Sequence, residues 1–329
     1  MNAGSAGNAG EQTIEWLYGE QLHVDDEWAV RTPGGFTWWA DQQSQTIAVV
    51  GQEEGGPGGE TGYFIAVQTQ LLRSVELDDA RVAELNDVLM LSAAMTGVVY
   101  DEEQGLLNLC SLVAVHDDNA EWMRSLIATA ALLQIEEARM IAPPLAAALG
   151  AEVATSGHPD QGPRPQLDAL VEAIPKLIGP PGSEPSRWTP EEFKQAFEQE
   201  VDKPPALSAT LQDGGIIVQV PCGEYPVLCR ILASEPHPRY GNGLFVLQQF
   251  PVTPPSDADG VALALALNGI ELTQRPFGYG FGSYAYREGG FYFVSFYPNA
   301  VYVAGLLPNI YWSCVQRAQA VYAVLTAED

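Results

Sequence analysis

Parts of the sequence recur in the same order at an almost constant spacing, and this recurrence constrains the fold more than any other feature. The segment Gly62–Ile65 recurs as Gly243–Val246, and the helical stretch that follows Asn119 recurs after Asn299, at offsets of 180 to 182 residues. The other matching pairs are Ala80 with Ala262, Leu85 with Leu267, Asn86 with Asn268, Ala120 with Ala300, Leu126 with Leu306 and Ala138 with Ala318. Separate blocks that keep one order and one spacing predict an internal duplication.

The length of 329 residues fits two domains, each large enough to bury its own core. A segment with eight prolines, from Gly157 to Pro190, separates the two sets of matching blocks and predicts a linker. The predicted organisation is a disordered tail at 1–10, a first domain at 11–156, a Pro/Gly-rich linker with a short helix at 157–189, and a second domain at 190–329.

Each half has the pattern of a helix, several strands, a helix, two strands and a closing helix. The predicted class is therefore α+β: two tandem domains, each an antiparallel sheet with helices packed on it. The specific expectations include a first helix over Glu11–Leu22, a short linker helix over Leu167–Leu177, and a strand over Gly280–Tyr286. The closing helices are expected over Asn119–Leu149, with a break near Pro143 and Pro144, and over Asn299–Leu325.

The Leu85-Asn86 and Leu267-Asn268 pairs lie in short helices before a predicted pair of strands. In these pairs and in its order of elements, the chain resembles the type III secretion chaperone-like fold, and within it the YbjN-type family of bacterial sensory-transduction regulators. The resemblance covers nearly the whole chain, once per half, and departs from the family in the doubled length and the proline-rich linker. It implies a protein that binds segments of client proteins and has no catalytic residues. The repeat markers, which come from the constant spacing, are Asn86 with Asn268 and Asn119 with Asn299.

The charge is strongly negative, because 42 Asp and Glu face 15 Lys and Arg, a net charge of −27. No cluster of basic residues is present that could neutralise phosphates, so nucleic acid and anionic membranes are poor partners. A basic protein or a basic amphipathic segment is a better one. The opposing interpretation is that the acidity only keeps the protein soluble. No apolar run long enough for a membrane span and no secretory signal is expected, and the four scattered cysteines favour a reducing cytoplasm.

Three groups of residues are candidates for contacting a partner. Trp38 and Trp39 are adjacent, so they are expected on opposite faces of a strand, one in the core and one exposed as an anchor. His237, Arg239 and Tyr240 lie in a distinctive Pro- and Gly-rich loop, whose other interpretation is a hairpin turn. Phe277, Tyr279 and Phe281 alternate with glycines and are expected on one strand face, either as an aromatic platform or as a half-buried strand.

Catalytic and metal-binding interpretations are weaker. Cys222 and Cys229, with His237 nearby, do not have the spacing of a zinc site, and a nucleophile pair of one cysteine with His237 fits no known pattern. The paired acidic residues fit loops and helix starts. No cofactor, metal or catalytic residue is therefore predicted.

Together these features predict a cytoplasmic, non-enzymatic protein that binds a client polypeptide, as a monomer with an internal pseudo-dimer or as a homodimer. A regulatory protein that senses a small molecule between its domains is the first alternative. An enzyme is the second.

Overall fold

The computed structural model describes residues 7–55, 60–91, 94–178, 184–200 and 207–326. They form two antiparallel sheets with helices packed on them, which confirms the α+β class and the two sheets. We call the described residues up to 178 the first half and those from 184 onward the second half. Residues 1–6 of the expected disordered tail and 179–183 of the expected linker lie outside the described residues.

The first sheet has the strand order β1-β2-β3-β4-β6-β5, with β7 paired to the end of β4. Its helices are α1 before β1, α2 between β4 and β5, and α3 after β6. The bounds are α1 Ala9–Trp16, β1 Ala29–Thr32, β2 Gly35–Trp38, β3 Gln45–Glu53, β4 Gly62–Arg73, α2 Asp79–Leu91, β5 Gly97–Asp101, β6 Leu106–Val115, α3 Ala120–Leu149 and β7 Glu152–Val153.

The second sheet has the order β8-β9-β10-β11-β13-β12, which is the order of the first sheet. A helix again precedes the first strand, separates the fourth from the fifth, and follows the sixth. The bounds are α4 Ala169–Ile178 (at the end of the first half), α5 Pro190–Glu200, β8 Ser208–Gln212, β9 Gly215–Val220, β10 Val227–Leu232, β11 Gly243–Phe250, α6 Asp257–Gly269, β12 Ser283–Arg287, β13 Gly290–Pro298 and α7 Leu306–Thr326.

The strands give each sheet an inner face, covered by the closing helix, and an outer face. Along β11 the even-numbered side chains from Leu244 to Phe250 are buried, whereas Phe245 and Leu247 are only partly buried. This alternation follows from the two-residue period of a strand. On the inner faces, α3 packs on β4 and β6, and α7 packs on β9, β10 and β11.

Helix α3 is continuous through Pro143 and Pro144, so the break expected there is wrong. Each proline lacks the N–H that would bond to the carbonyl four residues earlier. Those carbonyls belong to Arg139 and Met140, which are exposed residues, so water can satisfy them.

Other element boundaries also differ from the expectation. The first helix begins at Ala9, where the side chain of Asn8 accepts a hydrogen bond from the N–H of Glu11. Asn299 begins a short 3₁₀ turn rather than the closing helix, and α7 starts only after Gly305, whose φ of 87° interrupts helical geometry.

The proline-rich segment is packed against the first half as far as Ile178. Helix α4 contacts α3, and its side chains Val171 and Ile174 are buried. Arg164 donates a 2.8 Å hydrogen bond to the carbonyl of Trp39 and lies 3.1 Å from Asp168. The linker helix is therefore part of the first half's core.

The two halves pack through the outer faces of their sheets. Helix α2 of the first half contacts β12, while α6 of the second half contacts β5 and α2. Leu112 and Gly280 exchange two backbone hydrogen bonds of 3.4 and 3.1 Å across the boundary. A Cβ at Gly280 would overlap the carbonyl oxygen of Leu112, so only glycine allows this approach.

Candidate functional site

Two grooves remain on the outer faces of the sheets, one at each end of the boundary between the halves. The first, the apolar groove, has a volume of about 380 Å³ and lies where the end of α2 meets the second sheet. It is lined by Met90, Leu91, Arg230, Leu232, Glu235, Pro236, His237, Pro238, Phe245, Leu247, Val294 and Phe296. Leu91, at 56% exposure, is an apolar side chain open to solvent at its edge.

The second, the charged groove, has a volume of about 700 Å³ and lies where the segment after α6 meets the first sheet. It is lined by Glu53, Glu60, Gly62, Phe64, Ala114, His116, Asn119, Arg275, Pro276, Phe277, Gly278, Tyr279, Gln316, Gln319, Ala320, Ala323 and Val324. Arg275 of the second half is 2.6 Å from Glu53 of the first. Glu60 lies 4.0 Å from Nδ1 of His116, which is longer than a hydrogen bond.

The two grooves occupy corresponding places in the two sheets. The charged groove is built over the cross-strand pair Phe64–Ala114, and the apolar groove over the pair Phe245–Phe296. The charged groove is bordered by the loop before β4 and by the segment after α6 of the other half. The apolar groove is bordered by the loop before β11 and by the end of α2 of the other half. Both linings are largely apolar; the charged members are Glu53, Glu60 and Arg275 in the charged groove, and Arg230 and Glu235 in the apolar groove.

The predicted contact loop around His237 is buried against the first half instead of being free. Tyr240 donates a 3.2 Å hydrogen bond to Oε1 of Glu137 on α3, and Arg239 donates to the same atom at 3.3 Å. Arg239 also donates to the carbonyl of Leu91 at 2.9 Å. Arg239, predicted as a candidate for contacting a partner, thus contacts a carboxylate of its own chain.

Burial perturbs the two titratable groups at this contact. Burial, opposed by Arg239 and Tyr240, raises the pKa of the Glu137 carboxyl to about 8. Burial together with the charge of Arg239 lowers the pKa of His237 to about 4. Nδ1 of His237 accepts the backbone N–H groups of Arg239 and Tyr240 at 3.1 and 3.3 Å, which requires an unprotonated Nδ1.

A second copy of this turn was not predicted. His158 exchanges backbone hydrogen bonds with Gly162, as His237 does with Gly241, and its Nδ1 also accepts two backbone N–H groups. The signal was in the sequence, because His-Pro-x-x-Gly occurs at both 158–162 and 237–241. The ring of His158 packs at 5.2 Å on Trp39.

The expectation that one of the adjacent tryptophans is an exposed anchor is wrong. Trp38 lies fully in the core, and Trp39 is only 7% exposed. Trp39 is covered by His158 of the proline-rich segment and donates a 3.1 Å hydrogen bond to Ser156, which immediately precedes that segment. The segment expected to be a linker is what buries it.

Phe277, Tyr279 and Phe281 do not share a strand face, since β12 begins only at Ser283. Phe281 is buried in the core, whereas Phe277 and Tyr279 are partly buried and line the charged groove. The loop is held by a 2.7 Å hydrogen bond from the N–H of Tyr279 to Ser313 of α7. The ring of Tyr279 packs at 5.6 Å on Trp122 of the first half.

The repeat markers have structural contacts of different kinds. Asn268 accepts a 2.8 Å hydrogen bond from the N–H of Tyr284, and Asn86 of the other half accepts one of 3.3 Å from Tyr286. Both asparagines thereby accept hydrogen bonds from backbone N–H groups at the edge of β12. Asn119 accepts from the N–H of His116 at 2.9 Å and closes the turn before α3.

Asn299 instead makes hydrogen bonds with the first residues of the second half. Its side chain accepts a hydrogen bond from the N–H of Arg187 and donates one to the carbonyl of Pro185.

The cysteine residues are unpaired and buried. Burial raises the pKa of Cys110 and that of Cys314 to about 12, and it also raises the pKa of Cys229. Cys229 lies on the face of the sheet that α7 covers, and its Sγ is 3.2 Å from Nε2 of Gln248 on β11. His237 instead packs on Phe296, at the opposite face of the sheet. A nucleophile pair of Cys229 with His237 is therefore wrong.

The sequence analysis did not predict a buried ion pair in the second half. Arg317 on α7 contacts Glu271 at 2.8 Å, and both side chains are at most 2% exposed. Tyr284 donates to Glu271 at 2.5 Å, and Arg317 donates to Gln248 at 3.0 Å. Arg317 also donates a 2.6 Å hydrogen bond to the carbonyl of Tyr279, so the network reaches the loop that lines the charged groove.

The described residues contain neither a cluster of metal ligands nor a helix that could span a membrane. No three His, Cys, Asp or Glu side chains are grouped closely enough there to share a metal ion. None of the described helices combines the length and apolar character needed to cross a bilayer. Comparisons of the chain with protein-family models, curated proteins and solved structures each found no match.

Proposed function

We propose that the chain is a non-enzymatic polypeptide-binding protein, chaperone-like or adaptor-like, in which two duplicated domains pair within one chain. The common strand order of the two sheets supports the duplication. The packing of α2 on β12 and of α6 on β5 supports an internal pseudo-dimer. The arrangement of helices on an antiparallel sheet supports the resemblance to the secretion-chaperone-like fold. Four unpaired cysteines fit the reducing cytoplasm.

The apolar groove is the observation that carries this proposal. Phe245 and Leu247 line it together with Leu232, and the outer face continues onto the partly exposed Leu228. Apolar surface gains stability when a partner removes it from water. An extended segment with apolar side chains at alternating positions would match the two-residue period of the sheet. The net charge of −27 favours a client segment with basic residues.

A peptide-binding experiment tests the proposal. Immobilised peptides of about 12 residues, which span roughly 40 Å when extended, are probed with the whole protein. The bound sequences are expected to be enriched in alternating Leu, Ile or Phe with Arg or Lys. The affinity of the best peptide is then measured by fluorescence anisotropy for the wild type and for Leu247→Ser.

Leu247→Ser is expected to weaken binding by about tenfold, which is about 1.4 kcal/mol. Leu211→Ser is the matched control, because Leu211 is 38% exposed on β8 and does not line the groove. It should change the affinity less than about twofold. Equal losses in the two variants, or no bound peptide at all, would contradict the proposal.

The second candidate is a regulatory protein that binds a small cationic molecule in the charged groove. A volume of about 700 Å³ between the halves, lined by Glu53 and Glu60, favours it. Free arginine or spermidine should then raise the melting temperature, because a ligand that binds only the folded state stabilises it.

A further inference from the structure

We infer that the charged groove binds an arginine side chain of the client polypeptide. This inference rests on the proposed polypeptide-binding function and adds a specific recognition element to it. The groove offers carboxylates from the first half and aromatic rings from both halves around one volume of about 700 Å³.

The lining matches the chemistry of a guanidinium group. Phe64 comes from β4, and Phe277 and Tyr279 come from the loop after α6. Aromatic faces attract cations, and arginine stacks on them more often than lysine does. The carboxylate of Glu60 is only 22% exposed and has His116 at 4.0 Å. In the described residues, Nδ1 of His116 is buried without a hydrogen-bond partner, which leaves Glu60 open to a stronger donor.

The chain already places one guanidinium at the rim of this groove. Arg275 lies 2.6 Å from Glu53, but the two side chains are 65% and 49% exposed. An exposed ion pair contributes little and is easily exchanged. Arg275 therefore shows which group the groove accepts, and it would compete with an incoming arginine for Glu53.

One wall of the groove is held in place by contacts with α7. The carbonyl of Tyr279 accepts a 2.6 Å hydrogen bond from Arg317, and its N–H donates to Ser313. A Cβ at Gly278 would overlap Ser313, so this wall is packed directly on α7. A fixed wall suits a planar, pre-organised guanidinium better than a flexible ammonium.

The probes are fluorescein-labelled hexa-arginine, hexa-lysine and hexa-citrulline, the last being an uncharged near-copy of arginine. None carries the apolar side chains that the apolar groove requires, so their binding does not report on that groove. Anisotropy is measured near physiological ionic strength, where diffuse attraction decays within about 8 Å. Hexa-arginine is expected to bind about fivefold more tightly than hexa-lysine, and hexa-citrulline to bind least.

Paired variants separate the groove from the overall charge. Glu60→Gln should weaken hexa-arginine binding about fivefold, while Glu172→Gln, on the exposed side of α4, makes the same change in net charge and should have little effect. Arg275→Gln should strengthen binding about threefold by freeing Glu53, a gain that misfolding cannot imitate. Arg287→Gln is its control, since Arg287 is 56% exposed and outside the groove.

Equal effects of Glu60→Gln and Glu172→Gln would overturn the inference, since binding would then be diffuse attraction. Binding of free spermidine that depends on Glu60, without binding of hexa-arginine, would also overturn it in favour of a small ligand. Loss of the Leu247 effect on apolar peptides, with the Glu60 effect intact, would instead contradict the proposed function alone. The two failures are therefore distinguishable.

Discussion

In each half, a buried glutamine links the closing helix to the fourth strand of the sheet by a hydrogen bond. The glutamine lies on the helix in the first half and on the strand in the second. Gln134 on α3 donates a 3.3 Å hydrogen bond to the carbonyl of Val67 on β4. Gln248 on β11 donates a 2.8 Å hydrogen bond to the carbonyl of Cys314 on α7. Val67 and Gln248 are 181 residues apart, and Gln134 and Cys314 are 180 apart. The same gap between helix and strand is bridged in both halves, with donor and acceptor exchanged.

One turn further along the closing helices, the halves differ more. Glu137 and Arg317 are 180 residues apart and both are buried. Arg317 finds its partner, Glu271, within the second half, whereas Glu137 is contacted by Arg239 and Tyr240 of the other half. The second half thus pairs its buried arginine internally, whereas the buried carboxyl group of Glu137 in the first half contacts the neighbouring half.

The largest expected effect is on the second half's internal pair. Arg317→Met leaves the buried carboxylate of Glu271 without its cation, which should lower the free energy of unfolding by about 3–5 kcal/mol. Adding Glu271→Gln should restore part of the loss, because Gln removes the charge and still accepts from Tyr284. Urea unfolding followed by tryptophan fluorescence measures both.

Arg139→Met is the control for this comparison. Arg139 pairs with Asp41 and Glu136 at the surface, so its loss should cost less than about 1 kcal/mol. Similar costs for Arg317→Met and Arg139→Met would mean that burial does not distinguish the two pairs.

The next effect concerns Asn268 and Asn86, which hold the edge of β12 from opposite halves. Asn268 is fully buried, and its loss leaves the N–H of Tyr284 without a partner, so Asn268→Ala should cost about 2 kcal/mol. Asn86 is half-buried and its bond to Tyr286 is long, so Asn86→Ala should cost about 1 kcal/mol. Thermal and urea unfolding of the two variants compare them directly. A larger cost for Asn86 would reverse the proposed order.

The sequence predicted the class, the two sheets and most elements, because helix and strand periodicities are local. It could not predict that α3 passes through Pro143 and Pro144, since that depends on which carbonyls face water. Nor could it predict that Trp39 is buried, because Ser156 and His158 are about 120 residues away in the sequence. These outcomes depend on contacts between distant segments.

The candidate site was predicted only in part. Phe277 and Tyr279 do line a groove together with the neighbouring Arg275, but Glu53 and Glu60 join them only through the packing of the two halves. Glu137 could have been noticed as an acidic residue at helical spacing from the apolar residues Leu126, Ala130 and Leu133. Its partners, Arg239 and Tyr240, could not have been predicted, because nothing in the local sequence indicates that their loop contacts α3.

The smallest expected effect is a pH dependence that isolates the contact between the halves. With a pKa of about 8 in the folded protein and an ordinary value of 4.5 when unfolded, Glu137 binds a proton only in the folded state between these values. A raised folded pKa means that its contribution to stability is complete below pH 4.5 and is lost as pH rises toward 8. His237, with a folded pKa of about 4, acts oppositely below its ordinary value of 6.5. Glu137 therefore dominates above about pH 6.5.

Between pH 7 and 8 the wild type should lose about 1 kcal/mol of unfolding free energy through Glu137. Glu137→Gln keeps an acceptor for Tyr240 and cannot ionise, so this decline should disappear. Glu136→Gln is the control, because Glu136 lies beside it in sequence but pairs with Arg139 at the surface. Urea unfolding at several pH values measures the slopes. Parallel slopes in the wild type and Glu137→Gln would mean that the carboxylate is already ionised beside Arg239, and that the contact between the halves is an ion pair at neutral pH.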